Sequence, residues 1–294
     1  MSGGQCLLCS WSDSMRAGIL QADETAMSLE IRPADLHEIA WTRSRYHREL
    51  GDAVPHEPQV LRGELNLSIL ILDGRAIGHG IVDGASADGA TIVEFYVLPC
   101  DRRLVSSYFD QFLDATGAVF IAARTDDPIL TVLLFDRAEA ISSGAILFRD
   151  HETTQYVAPG THLRPITRQD RAQLAPELCQ PESWPHAFAS MDALERWIER
   201  GVGWILEQEH TVLAVGSISD DRNVPFADLG MRVIEPYRQQ GYGVYIIQEL
   251  KREAYRRGAI PVARCDVTNH LSRKTLQKAG FLPVACRVQG HVKR

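Results

Sequence analysis

One stretch, Phe226 to Phe281, limits the fold more than any other. Residues 227–234 are an apolar run that ends just before Pro236, where a missing N–H and a fixed φ stop a strand from continuing. Next comes Arg238-Gln239-Gln240-Gly241-Tyr242-Gly243, a basic loop with two glycines. Residues 244–257 then read as a helix, with Lys251, Arg252, Arg256 and Arg257 toward the negative end of its dipole and Gly258 as its C-cap. Strand, glycine loop and helix in that order aim backbone N–H groups at an anion, a phosphate above all.

The chain ahead of this stretch reads as an earlier round of the same pattern. Strand 27–33 leads to helix 34–50 and a Gly/Pro loop over 51–58. Residues 65–72 and 76–82 flank Asp73-Gly74 as a hairpin, and a third strand, 91–98, ends at Pro99. Helix 104–115, strand 119–123, helix 129–138 and strands 145–148 and 153–157 complete the round. Pro159-Gly160 marks a boundary, and residues 162–166 then resemble 30–33, each with Ile or Leu, Arg and Pro ahead of a polar helix start. Helices over 171–178 and 191–200, a hairpin over 204–207 and 212–218, strand 260–267, helix 271–278 and strand 281–288 frame the glycine loop. The order predicts an internal duplication. Its units are an N-terminal segment 1–26, a first domain 27–158 and a second domain 159–294.

With 294 residues the chain has room for two ordinary domains, and its net charge of −7 argues against a general nucleic-acid binder while fitting a cationic small substrate. No apolar run reaches membrane-span length, and the N-terminus lacks the basic-then-apolar order of a secretory signal. A cytoplasmic protein without membrane or nucleic-acid partners is therefore expected, as a monomer or homodimer. Six scattered cysteines are expected to stay reduced. Cys6-x-x-Cys9 has the spacing of half a zinc site, but no second pair follows, so no metal is expected.

The loop from Arg238 to Gly243, then Asn269-x-x-Ser272, then Gly280-Phe281, resembles in order the motifs of the GNAT superfamily of CoA-dependent N-acyltransferases. The likeness runs from about His162 to the C-terminus. It implies an α+β fold (a mixed α/β sheet) made of two GNAT-like domains, each a mostly antiparallel twisted sheet flanked by helices. It also implies acetyl-CoA as cosubstrate. Gly241 and Gly243 would let the backbone close on the CoA pyrophosphate, held by the N–H groups of Gln239, Gln240, Gly241, Tyr242, Gly243 and Val244, with Arg238 adding a cation. Asn269 is either a partner of the pantetheine amides or the N-cap of helix 271–278, and Ser272 is either a cofactor contact or a first-turn residue. By the same likeness the N–H of Val233 would polarise the thioester carbonyl. Asp228 is the first candidate for the base that deprotonates the amine, or else a carboxylate that only binds a cationic substrate or caps a strand; Glu235 is the alternative base.

One position departs from the family pattern: where many members carry a tyrosine acid for the thiolate, this chain has Leu276. Tyr242, Ser272, His270 and Cys265 lie near it in sequence. The first half departs further. Cys100 to Tyr108 has no glycine, and Glu94 stands near the place of Asp228, so a degenerate domain that binds no CoA is expected. The second half has one strand after its last helix where the family has two, and residues 5–11 are expected to cross over and supply the partner. Trp184, Phe188 and Trp204 are candidates for lining the acceptor cleft or for core packing, and Asp192 and Glu195 for meeting a cation or for solvation. The expected function is acetyl transfer from acetyl-CoA to the primary amine of a small molecule: an amino sugar, an aminoglycoside-type antibiotic, a polyamine or an amino acid. The alternatives are a protein N-terminal or lysine acetyltransferase, and a CoA-binding regulatory module.

Overall fold

Two hairpin turns of the same make begin the architecture. Asp73 and Gly74 take φ of 50° and 77°, and Glu209 and His210 take 46° and 67°. Two successive residues in the left-handed region give the two-residue turn whose twist matches an antiparallel pair. The computed structural model describes residues 29–85, 88–178, 191–219 and 224–293. Its first half runs β1 (Leu29–Pro33), α1 (Leu36–Leu50), α2 (Glu57–Leu61), β2 (Asn66–Leu72), β3 (Arg75–Asp83), β4 (Thr91–Val97), α3 (Val105–Thr116), β5 (Phe120–Arg124), α4 (Pro128–Arg137) and β6 (Ala138–Asp150). The second runs β7 (Thr161–Pro165), α5 (Arg171–Leu178), α6 (Met191–Arg200), β8 (Gly203–Gln208), β9 (Thr211–Ser219), β10 (Phe226–Val233), α7 (Tyr242–Arg256), β11 (Ile260–Asp266), α8 (His270–Lys278) and β12 (Phe281–Val292).

The halves share local devices as well as order. A reciprocal capping box starts the helical segment after β1 (Asp35 with Glu38) and after β7 (Thr167 with Asp170). In each, the arginine of the preceding strand pairs with the carboxylate at the box's third helical position, Arg32 with Glu38 at 2.8 Å and Arg164 with Asp170 at 2.7 Å.

The strands form one sheet in the order β1-β2-β3-β4-β5-β12-β6-β11-β10-β9-β8-β7. The two strands that close the halves are exchanged. β12 pairs antiparallel with β5 of the first half, and β6 pairs antiparallel with β11 of the second. β6 and β12 also pair with each other, from Phe281 opposite Asp150 to Val292 opposite Ala138. The strand that the second half lacks is thus supplied by β6. Residues 5–11, expected to supply that partner, lie outside the described residues; the neighbours of β12 are β5 and β6. Two local expectations also change. Pro58 in the first turn opens the short α2 where a loop was expected. Residues 153–157 form no strand; they follow α7, where Gln248 bonds both the N–H and the carbonyl of Tyr156.

One face of the sheet packs on α3 and α4 in the first half and on α7 and α8 in the second; α1, α2 and α6 cover the other. The connection between the halves is clamped. Buried Lys251 of α7 meets Asp150 at 2.5 Å and donates to the carbonyls of Glu152 and Ala279 at 2.7 and 2.8 Å. Gly280 has φ of 89°, and a Cβ there would lie 2.0 Å from the Glu152 carbonyl oxygen. Its glycine is required by this contact between halves. Among the described residues no helix is long and apolar enough to cross a membrane.

The first half buries an ionic cluster between α1 and the sheet. Arg43 reaches Glu57 at 2.7 Å and Glu94 at 2.9 Å, while Glu94 also meets His56 at 2.7 Å and His79 at 2.6 Å. Burial alone would raise the Glu94 carboxyl, but the Arg43 charge and the two imidazole hydrogen bonds outweigh it and hold it well below its usual range. Burial lowers His79 and keeps it neutral. Glu94 is therefore a structural anion here; its place on β4 is filled by its own network.

Replacing Lys251 with Met leaves Asp150 and two carbonyls without their cation and is expected to cost about 3–5 kcal/mol in urea unfolding. Both Glu94 and His79 have depressed folded pKa values, so their contributions are complete above their unfolded values and lost as pH falls. Unfolding midpoints are expected to drop as pH falls below about 6.5, the unfolded histidine value, and to drop less in His79→Gln.

Candidate active site

A gap opens between β10 and β11. The two pair in parallel from Phe226 opposite Ile260 to Leu229 opposite Ala263, and then part. β10 continues along β9 as far as Val233 opposite Ala214, and Ile234 N–H donates to the Leu213 carbonyl at 2.9 Å. Alternation along the strand then turns the N–H groups of Met231 and Val233 toward the gap. The expected carbonyl-polarising donor is thus placed in the opening, with Met231 as a second donor that sequence reasoning missed.

Past Val233 the chain makes a single 3-10 turn, Glu235–Tyr237, and Arg238 folds back so that Nε donates to the Val233 carbonyl at 3.3 Å. Gln239 and Gly241 take positive φ, 62° and 90°. Gly241 is the N-cap of α7 and supplies no side chain to it. The first N–H groups of the helix, those of Tyr242 and Gly243, therefore face outward without an intrahelical acceptor. A Cβ on Gly243 would come within 3.3 Å of Thr275, 3.4 Å of Val233 and 3.5 Å of Met231. Loop, strand end and α8 meet at that point, where an added Cβ would fit only tightly. A Cβ on Gly241 would meet only the Tyr156 ring, at 3.9 Å. Tyr156, on the connection between halves, overhangs the loop, and no motif in the sequence signals it.

The corresponding loop of the first half is built differently. Pro99–Leu104 is a continuous 3-10 turn that runs into α3 at Val105, and no residue from 99 to 108 has positive φ. Asp101 N–H bonds the Leu98 carbonyl and Val105 N–H bonds that of Arg102, so donors are used within the turn. Arg102 Nε donates to the Val97 carbonyl at 2.8 Å, as Arg238 does to Val233. The arginine is in both halves a strut on the strand end.

Asp228 lies on the opposite face of the sheet from α7, since its neighbours Ala227 and Leu229 pack in the α7 core. Its side chain is 14% exposed and sits 3.7 Å from Arg264 Nε. The cleft it lines is walled by Asp52, Ala53 and Pro55, from the segment between α1 and α2, and by Leu147 and Phe148 of β6. All of these wall residues come from the first half of the chain, a contribution that no local pattern encodes. Asn269 is an N-cap: Oδ1 accepts from Ser272 N–H at 3.0 Å, and its amide nitrogen is left over. Glu235 is exposed on the turn. Leu276 is buried in the α7–α8 core, and burial there raises the Cys265 thiol. His270 is exposed and Tyr242 half-buried. Trp204 packs in the core under Arg257, and Glu195 pairs with Arg171 at 3.1 Å. Trp184, Phe188 and the Asp192 side chain lie outside the described residues. No group of three metal-binding side chains occurs among the described residues.

The acetyltransferase (GNAT) domain model matches residues 161–282. No curated protein sequence matches the chain. Among solved structures, an acetyltransferase from the GNAT family of Colwellia psychrerythraea aligns with a TM-score of 0.72 at 16% identity, covering 90% of this chain and 100% of its own. A tandem GNAT protein from the clavulanic acid biosynthesis pathway, solved without AcCoA, aligns with a TM-score of 0.58 at 14% identity, over 91% of this chain and 99% of its own. A GCN5-related N-acetyltransferase of Sphaerobacter thermophilus gives 0.60 at 14% identity, over 90% and 96%. At these identities the likeness is one of fold, and it spans both halves.

The loop geometry predicts two binding results by calorimetry with CoA. A Val at position 241 would put a branched side chain at φ of 90°, and Gly241→Val is expected to abolish measurable CoA affinity, with a stability cost of only about 1–2 kcal/mol. Tyr156→Ala, which uncovers the loop without changing its backbone, is expected to weaken CoA binding by about tenfold, or 1.4 kcal/mol.

Proposed function

We propose, from the premise that residues 161–282 are a GNAT acetyltransferase domain, that this enzyme transfers acetyl from acetyl-CoA to the primary amine of a small molecule. The observation that carries the reading is the left-handed, uncapped loop at Gln239 to Gly243, directly after a strand end whose N–H groups face an open gap. Pyrophosphate fits the outward N–H groups of the loop, since an anion there gains from both hydrogen bonds and the helix dipole. The Val233 N–H then meets the thioester carbonyl oxygen, where negative charge grows as the amine attacks. The amine nitrogen forms the new C–N bond, the C–S bond breaks, and the amine proton passes to Asp228 directly or through one water. The CoA thiolate takes its proton from solvent, because the usual tyrosine position holds buried Leu276.

The first half, on this reading, binds no CoA. Its loop has neither a left-handed residue nor spare N–H groups of the kind seen at Gly241. Its role is to wall the acceptor cleft with residues 52–55 and with β6. Walls on both sides favour a small amine over an extended peptide.

Asp228→Asn tests the base. At neutral pH kcat/KM is expected to fall by about 10²–10⁴, with CoA affinity unchanged. An unaltered rate would remove Asp228 from the mechanism, and CoA binding without thiol release on any amine would overturn the enzymatic reading.

A further inference from the structure

The buried cluster of the first half carries an unbalanced charge. Two carboxylates, Glu57 and Glu94, bond to one guanidinium, that of Arg43, and all three are buried. One negative charge is left over in a medium that screens it poorly. Three imidazoles touch the cluster. His79 and His56 meet Glu94 at 2.6 and 2.7 Å, and His47 lies 3.6 Å from Glu57. Burial lowers His47 and His79 and keeps both neutral. His56 is left as the imidazole on which a proton would balance the cluster.

The ring is placed to take that proton from the side of the cleft. His56 is the N-cap residue of α2, yet its side chain makes no capping bond. Nε2 lies 2.7 Å from Glu94 Oε2, and an ionised carboxylate only accepts, so Nε2 carries the hydrogen. Nδ1 of the neutral ring then holds a lone pair, and it makes no hydrogen bond among the described residues. The ring lines a cavity of about 70 Å³, room for several water molecules. Gln59 Oε1, buried without a partner among the described residues, gives such water a second anchor. The cavity shares Pro55, Arg124 and Arg264 with the Asp228 cleft, and Pro55 is the chain neighbour of His56. The charged groups around it are already engaged. Arg124 meets Asp126 at 2.6 Å and Asp52 at 3.3 Å, and Arg264 lies 3.7 Å from Asp228. Asp127 takes hydrogen bonds from Leu130 N–H and from the Tyr46 hydroxyl.

We propose that His56 is the final proton acceptor of acetyl transfer: the proton lost by the attacking amine passes from Asp228 through water in the cavity to His56 Nδ1. The assignment rests on the acetyl-transfer reading of the Asp228 cleft. As the C–N bond forms and the C–S bond breaks, the nitrogen gives up one proton. Asp228 takes it, water hands it on, and the Asp228 carboxylate returns ionised for the next amine. The imidazolium so formed pairs with Glu94 and releases its proton to solvent between turnovers. An ordinary carboxylate holds a proton weakly at neutral pH, whereas an imidazole set against a buried anion holds it better. Glu94, which stands in the first half where Asp228 stands in the second, is a positioning residue here: it fixes the tautomer of His56 and balances its charge.

The test follows thiol release from acetyl-CoA with glucosamine, kanamycin, spermidine and lysine, and carries the fastest of these amines through the variants. In His56→Gln the side-chain amide still donates to Glu94, so a purely structural role would be kept. kcat/KM is nonetheless expected to fall at least tenfold, with KM for acetyl-CoA and the urea midpoint unchanged. Added imidazole should restore part of the rate to His56→Ala and none to the wild type. The double variant of His56→Gln with Asp228→Asn should be no slower than Asp228→Asn alone, because both groups lie on one route. Nitrogen NMR should show the neutral His56 ring as the Nε2–H tautomer. Full activity in His56→Gln would overturn the role and leave acetyl transfer standing. So would losses that multiply in the double variant, an Nδ1–H tautomer, or a His56→Ala rate that imidazole leaves unmoved. No thiol release from the wild type on any of the four amines would overturn the acetyl-transfer reading, and this role with it.

Discussion

The exchange of β6 and β12 is the constraint from which the rest follows. Each half ends in one strand after its last helix, and a sheet that stopped there would leave an unpaired edge beside β5 and another beside β11. Laying β12 against β5 and β6 against β11 satisfies both edges, and pairing β6 with β12 closes the seam. The twelve strands among the described residues become one sheet, and the halves cannot part without breaking ladders that belong to both. The clamp at Lys251 and the close contact of Gly280 with the Glu152 carbonyl fix the connection where it leaves the seam.

That seam also builds the site. β6 lies next to β11 only because of the exchange, and it brings Leu147 and Phe148 to the wall of the Asp228 cleft. The same arrangement carries the segment between α1 and α2 to within reach of β11, where Asp52 bridges Arg124 and Arg149. The first half therefore acts on the second half's cleft by shape and charge. Its own strand β4 is committed elsewhere: Glu94 is locked among Arg43, His56 and His79, and the loop after it spends its N–H groups within a 3-10 turn.

Much of the fold was legible from the order of elements. Turn residues, prolines after the third strand of each half, and helix caps are local signals, and nearly every expected element formed. The loop at Gly241 was legible too, because a positive φ at an N-cap calls for glycine. Asn269 shows the limit: the sequence allowed a cap or a ligand contact, and the fold uses its oxygen as a cap. Glu94 and Asp228 show another. They sit on corresponding strands and look alike in sequence, yet one is buried against Arg43 and two imidazoles and the other faces a cleft. Tyr156 and Asp52 had no local signal, since their roles depend on contacts with residues far along the chain.

The sequence alone determined the duplicated strand–helix order, the single glycine loop with its uncapped helix start, and the family likeness of the second half, because these depend on backbone propensities within a few residues. Only the tertiary structure decided which strands pair at the seam, why Gly280 must be glycine, and which residues face Asp228. Strand pairing depends on which edges remain open after everything else has folded, and that is a property of the whole sheet.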